Sequence, residues 1–169
     1  LWLEKRIPIS AGLGGGSADA AVALRLAHPD ALESELLERA AALGSDVPFF
    51  VRGGTALATG TGTTLAALPP VERWFVIVVP HVNVPAKTQT MYRRLQLQDF
   101  SNGAEVLAVA RSIEQASELP QRFPNTFMAR LPELSEFTRV IAAFEHAGLT
   151  CSLSGAGPSF FAMFPCEGS

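Results

Sequence analysis

The chain has 169 residues, 48% of them hydrophobic and 17% charged, with a formal net charge of −3. That is enough for one domain or two small ones around a real core, and the balance excludes a disordered chain. It also argues against a general nucleic-acid binder, which carries a basic excess, but leaves room for one anionic ligand held locally.

The chain opens on Leu1 and runs directly into "LWLEKRIPI", and it closes on "FPCEGS". Both ends read as the interior of a longer protein. Residues 1–9 are apolar around Glu4-Lys5-Arg6 and predict a strand. A glycine run from Gly12 to Gly16 follows, then an alanine-rich helix from Ser17 to Ala27, broken at His28-Pro29-Asp30. A second helix over 31–43 places Leu32, Leu36, Leu37, Ala40 and Leu43 on one face, and Gly44 ends it. Ser45 or Asp46 can cap a short helical turn with Pro48 near its start. The glycines and threonines of 53–64 predict two short strands with a turn near Gly60 to Gly62.

"LPPVE", residues 68–72, marks a domain boundary. Beyond it, Trp74 to Val79 reads as a buried strand, and helices are expected over 87–95, 103–117 and 133–147, the last stopped by Gly148. "TCSLSGAGPSFFAMF" closes the chain as strand, turn, strand. The fold class is α+β. Cys151 and Cys166 form no disulfide framework and read as thiols in a reducing cytoplasm. No apolar run is long enough for a membrane span, and no signal-peptide pattern is present. His28, His81 and His146 lack metal-ligand spacing and read as surface or loop residues. Ser152, Ser154 and Ser159 have no histidine and aspartate arranged around them as a hydrolase requires. Arg93-Arg94 reads as a solvated helix face.

Three stretches carry candidate chemistry. In "GLGGGS" before a helix, glycine lets backbone N–H groups converge on a phosphate that side chains would exclude, and the helix start adds unpaired N–H groups and a favourable dipole. Ser17 sits where its hydroxyl can hold a phosphate or its metal ion. The bland alternative is a tight strand-to-helix turn. Neither a Walker A loop nor a Rossmann fingerprint fits, since Gly16 is followed by Ser17-Ala18 and no βαβ unit is evident. In "GSDVPFF", Asp46 is either a helix cap or an acceptor for a substrate proton. "SGAGP", Ser154 to Pro158, is either a plain hairpin turn or a second exposed backbone.

Together these residues resemble the GHMP kinases. The family's phosphate loop matches Pro8-Ile9-Ser10-Ala11-Gly12-Leu13-Gly14-Gly15-Gly16-Ser17-Ala18, and its late glycine motif matches Ser154-Gly155-Ala156-Gly157. Glu4-Lys5-Arg6-Ile7-Pro8 and Leu43 to Phe50 sharpen the resemblance toward the member that phosphorylates the 2-hydroxyl of a cytidylylated methylerythritol, a step of the non-mevalonate route to isoprenoids. Another small-alcohol kinase of the family, or a nucleotide-binding relative without catalysis, is the alternative.

The resemblance implies a two-domain α+β architecture. Residues 1–72 would form a partial N-terminal ATP-binding domain, and residues 73–169 a ferredoxin-like α/β C-terminal domain. It implies ATP and Mg²⁺ as cofactors, a small-molecule substrate, no nucleic-acid or membrane partner, and a cytoplasmic enzyme. Asp46 would be the catalytic acceptor. Lys5 would line the adenine pocket, with Pro8 to Ala18 as the ATP loop and Ser17 at the metal. Thr88, Gly155, Ala156 and Gly157 would shape the substrate side. The family's N-terminal segment, with a Lys-Ile-Asn motif whose lysine partners the aspartate, has no counterpart in the sequence from Leu1 onward. At 124–131, "PNTFMARL", Asn125 and Phe127 keep the family pattern while Thr126 and Met128 replace two acids.

Overall fold

The computed structural model describes residues 2–82, 87–131 and 135–166. Contacts divide the chain into two units. The residues up to Ile9 group with Gly14–Val71, and Ser10–Leu13 group with the residues from Glu72 on. The glycine run is therefore shared: its first part belongs to the second unit, the remainder to the first.

The first unit is built on three helices, α1 (Gly15–Ala27), α2 (Glu33–Leu43) and α3 (Val47–Arg52). α1 ends where His28 leaves helical geometry ahead of Pro29, and its N–H still reaches Leu24 and Arg25. α2 begins at Glu33, two residues after the expected start. Glu33 and Glu35 lie in its first turn, where negative charge complements the helix dipole. Leu36 and Ala40, one turn apart, are its buried positions. They join Ala21, Val47 and Val51 in one core, with Leu24, Leu37 and Phe50 packed against it. The small side chains of α1 let the helices approach closely. Arg25 closes the unit by donating to the Val51 carbonyl, and Arg52 pairs with Glu33 at 3.3 Å.

A hairpin completes the unit: β1 (Thr55–Thr59) pairs antiparallel with β2 (Thr64–Leu68). Gly60 and Gly62 turn it with positive φ, at the place the glycine–threonine pattern predicts. The strand expected over residues 1–9 is absent: Trp2 to Ile9 form neither strand nor helix. No strand among the described residues runs beside them, so the pattern has no ladder to join.

The second unit has a three-stranded antiparallel sheet in the order β3-β5-β4, with β3 at Arg73–Val78, β4 at Ser152–Leu153 and β5 at Phe160–Pro165. Helices α4 (Lys87–Arg94), α5 (Ala104–Glu114) and α6 (Ser135–His146) lie between β3 and β4 in sequence. Phe137 and Phe144 of α6 pack with Cys151, Leu153, Phe160 and Ala162. Phe160 is fully buried, and its ring meets Phe137 edge-on at 5.8 Å. Burial pushes the Cys151 thiol above its usual range, as expected of an inert core thiol. Gly148, with φ of 70°, ends the segment after α6.

β3 is not the buried strand its apolar sequence suggests. Trp74 is 68% exposed, and Phe75, Val76 and Ile77 are each about half exposed. β3 pairs only with β5 among the described strands and so forms an edge, and because Trp74 to Ile77 alternate between the two faces, neither face is fully covered there. An apolar run alone does not distinguish a central strand from an edge strand.

Candidate functional site

The glycine run leads into α1 through Gly14, which caps the helix with φ of 68° and contributes no side chain. Only glycine adopts that conformation without strain. The first intrahelical bond runs from Ala18 N–H to Gly14 O at 2.9 Å. The N–H groups of Gly15, Gly16 and Ser17 therefore precede it and have no carbonyl a turn back. Such groups form an anion-binding helix start.

The individual glycines serve different ends. A Cβ at Gly12 would lie 2.6 Å from Ser154 O and closer still to Gly157 O, so at this position the turn backbone replaces a side chain. A Cβ at Gly14 would sit 2.5 Å from the Phe50 ring, and one at Gly15 would sit 2.9 Å from Ile7. Gly16 alone of this run faces open space, with nothing within 4 Å. A substitution meant to crowd a bound phosphate therefore belongs at Gly16. At Gly15 it would strike Ile7 first.

Within the second unit, Ser10–Leu13 are fastened to the closing hairpin. The Ser159 hydroxyl donates to the buried Ala11 carbonyl at 2.6 Å, and Ser159 N–H reaches the same oxygen at 3.2 Å. The Ser154 hydroxyl donates to Gly12 O at 2.8 Å. Ser154 and Ser159, which have no nucleophile's surroundings, thus act as ties. The turn between them is closed by Gly157 N–H to Ser154 O at 2.8 Å and Ser154 N–H to Ser159 O at 2.9 Å.

Asp46 precedes α3, but its side chain makes no cap bond. It is exposed and, among the described residues, accepts only a long contact from the Ser45 hydroxyl, 3.4 Å. The cap expected from sequence is not made; Pro48 in the first turn already removes one of the donors a cap would satisfy. Lys5 forms an ion pair with Asp19 of α1. Pro8 and Ile9 are exposed, Leu13 and Ala18 half-buried. In the second unit Thr88 is exposed on α4, while Gly155 is exposed and Ala156 half-buried in the hairpin turn.

One residue gains a role that sequence reading did not give it. Asn125 caps a 3-10 turn, Thr126–Arg130, by accepting from Phe127 N–H, and its amide also donates to Leu153 O and Gly155 O, each at 2.9 Å. The capping half is legible from an Asn before a helical turn. The donations, 28 and 30 residues away, leave no local signal.

Elsewhere Asp99 accepts from Arg130 Nε at 2.7 Å and from Gln96 N–H at 2.6 Å. The hydrogen bond from Arg130, then that from Gln96, holds its carboxyl below the usual carboxylate range, against a desolvation that raises it. Among the described residues no group of three His, Cys, Asp or Glu side chains could hold a metal, and no helix is long and apolar enough to cross a membrane.

Residues 1–54 match the family model described as the GHMP kinases N terminal domain. A 4-diphosphocytidyl-2-C-methyl-D-erythritol kinase of Geobacter sulfurreducens is 40% identical over 175 residues, covering 98% of this chain and 60% of that protein. The enzyme of the same name from Thermus thermophilus is 38% identical over 170 residues, covering 96% and 59%. The crystal structure of a 4-(cytidine 5'-diphospho)-2C-methyl-D-erythritol kinase superposes with a TM-score of 0.74 at 34% identity, covering 95% of this chain and 59% of that one. The chain thus spans about 60% of the length of these relatives.

Proposed function

We propose, from the premise that this chain belongs to the GHMP kinase family, that its enzyme transfers the γ-phosphoryl group of ATP to an alcohol. The acceptor is 4-diphosphocytidyl-2-C-methyl-D-erythritol, the molecule in the names of its relatives, and the resemblance makes its 2-hydroxyl the point of transfer. The observation that carries this reading is the α1 start. There, N–H groups unused by the helix follow a left-handed Gly14 and surround a Gly16 that faces open space.

Phosphoryl transfer asks mainly for positioning and for stabilisation of spread negative charge. The loop from Ala11 to Ser17 holds the triphosphate, with the N–H groups of Gly15, Gly16 and Ser17 as its donors. Pro8, Ile9 and Ser10 lead into the loop, Ala18 continues it, and Lys5 lines the adenine side, anchored through Asp19. Asp46, exposed and free of a capping bond, accepts the proton that the substrate hydroxyl gives up as its oxygen attacks the γ-phosphorus. The bond from that phosphorus to the bridging oxygen breaks, and ADP leaves. Thr88 and Gly155-Ala156-Gly157 shape the substrate side.

The donor set suits Mg²⁺ held chiefly by phosphate oxygens and water, with Ser17 as the protein ligand, because Mg²⁺ needs few protein groups when a polyphosphate supplies the rest. Bound there, it would neutralise phosphate charge. By the resemblance, residues 1–72 belong to the N-terminal ATP-binding domain and residues 73–169 to the C-terminal domain of a cytoplasmic enzyme, although Ser10–Leu13 and Glu72 group by contact with the second unit.

The test supplies the full-length protein with ATP and the cytidylylated methylerythritol. The expected result is stoichiometric ADP and a product phosphorylated at the 2-hydroxyl, identified by phosphorus NMR. ATP binding with no ADP release would leave a nucleotide-binding relative. Turnover of a different alcohol in preference would move the enzyme elsewhere in the family.

A further inference from the structure

We propose that Asn125 is a positioning residue for the nucleotide site, acting through the Gly155 turn on the glycine run. The inference rests on the nucleotide-binding reading above. One carboxamide grips two carbonyls, Leu153 O and Gly155 O, which bracket Ser154. Its own oxygen accepts from Phe127 N–H at 2.9 Å and so fixes which face carries the donors. Ser154, held between the two gripped peptides, donates its hydroxyl to Gly12 O. The Gly12 position admits no side chain because the turn carbonyls occupy that space.

The chain of contacts is therefore Asn125, the peptides flanking Ser154, the Ser154 hydroxyl, and Gly12. All of these residues belong to the second unit. Gly12 lies two residues before the Gly14 cap of α1. A loop that must present several N–H groups to one ligand loses affinity when its entry is free to rearrange, because the ordering then has to occur on binding. Only a carboxamide carries two donors on one atom with an acceptor beside it, and Gln, the other carboxamide, is one methylene longer. Asp has no donor in its ionised form, and Ser cannot reach both carbonyls.

The experiment uses the full-length enzyme and measures ATP dissociation constants directly, ATP KM, kcat and melting temperature. Asn125→Asp keeps the size and the acceptor but turns an anion toward two carbonyls. Ser152→Ala is the comparison: Ser152 accepts from Phe123 N–H at 2.9 Å, so it ties the same segment to the hairpin without touching Leu153 O or Gly155 O. Both variants are expected to melt earlier than wild type. Only Asn125→Asp should weaken ATP, by about tenfold in both Kd and KM, with kcat at saturation kept within about threefold.

ATP affinity unchanged in Asn125→Asp overturns the inference. So does an equal loss of affinity in Ser152→Ala, which would mark general loosening of the unit. Should Asn125→Asp fail to fold, Asn125→Ser is read against the same two outcomes. A wild-type enzyme that does not bind ATP overturns the nucleotide reading itself, and the positioning role with it.

Discussion

Asp46 and Asp99 are the same residue type in opposite conditions. Asp99 is enclosed by Arg130 and by the Gln96 backbone, and its carboxyl is committed to holding two segments together. Asp46 stands exposed at the start of α3 and does not cap it. Gly12 and Gly16 repeat the contrast within five residues: the first is pressed against the hairpin turn, the second opens onto nothing. Groups saturated by the protein's own contacts hold the molecule together, whereas those left unsaturated are available to a ligand.

The largest expected effect tests the uncommitted acid. Asp46→Asn in the full-length enzyme should lower kcat by roughly 10²–10⁴ while ATP affinity and melting temperature stay close to wild type. Wild-type turnover would remove Asp46 from the chemistry. The committed glycine comes next. Gly12→Ala forces a Cβ into carbonyl oxygens at a positive φ, and should cost about 2–4 kcal/mol of stability, read by denaturant titration. A loss below about 0.5 kcal/mol would mean that the turn gives way and that its hold on Gly12 is weak.

Gly16→Val sharpens the other side of the contrast. Its Cβ meets no protein atom, so stability should change little, while ATP affinity falls about tenfold. An unchanged Kd would place the phosphates away from α1. The smallest effect belongs to Asp99. Its folded value lies below the ordinary 3.8, so its contribution is present above that pH and is lost as pH falls through the folded value. Asp99→Asn should therefore melt slightly below wild type at neutral pH, and the two curves should merge once the pH is well under 3.8. A gap that persists into strong acid would assign the effect to packing rather than to charge.

The sequence is most informative where a signal is local. The helix after the glycine run, the stop at His28, the hairpin around Gly60 to Gly62 and the closing strand–turn–strand all follow from short-range chemistry and appear in place. Trp2 to Ile9 and β3 mislead for one shared reason: apolar, strand-forming residues report a preference, and only neighbours in space decide whether a ladder or a cover exists. The glycines of 12–16 look alike in sequence, and nothing in their order says which are crowded by backbone and which lie open. Asn125 is half legible, its cap readable from position and its two carbonyl bonds set by the hairpin far along the chain.

The Ser159 hydroxyl on the Ala11 carbonyl also bears on how the protein is made. The two residues are 148 positions apart. At a synthesis rate of about 5–20 residues per second, Ala11 waits roughly 7–30 s before its partner exists. Once Arg52 has been made, α1, α2 and α3 have every local contact they need, while the entry to the glycine run still waits for Ser154 and Ser159. Helices can form on the ribosome early, but the glycine run reaches its final shape only after the closing hairpin has emerged. A nascent chain stalled before Ser159 would hold folded helices and an unset loop.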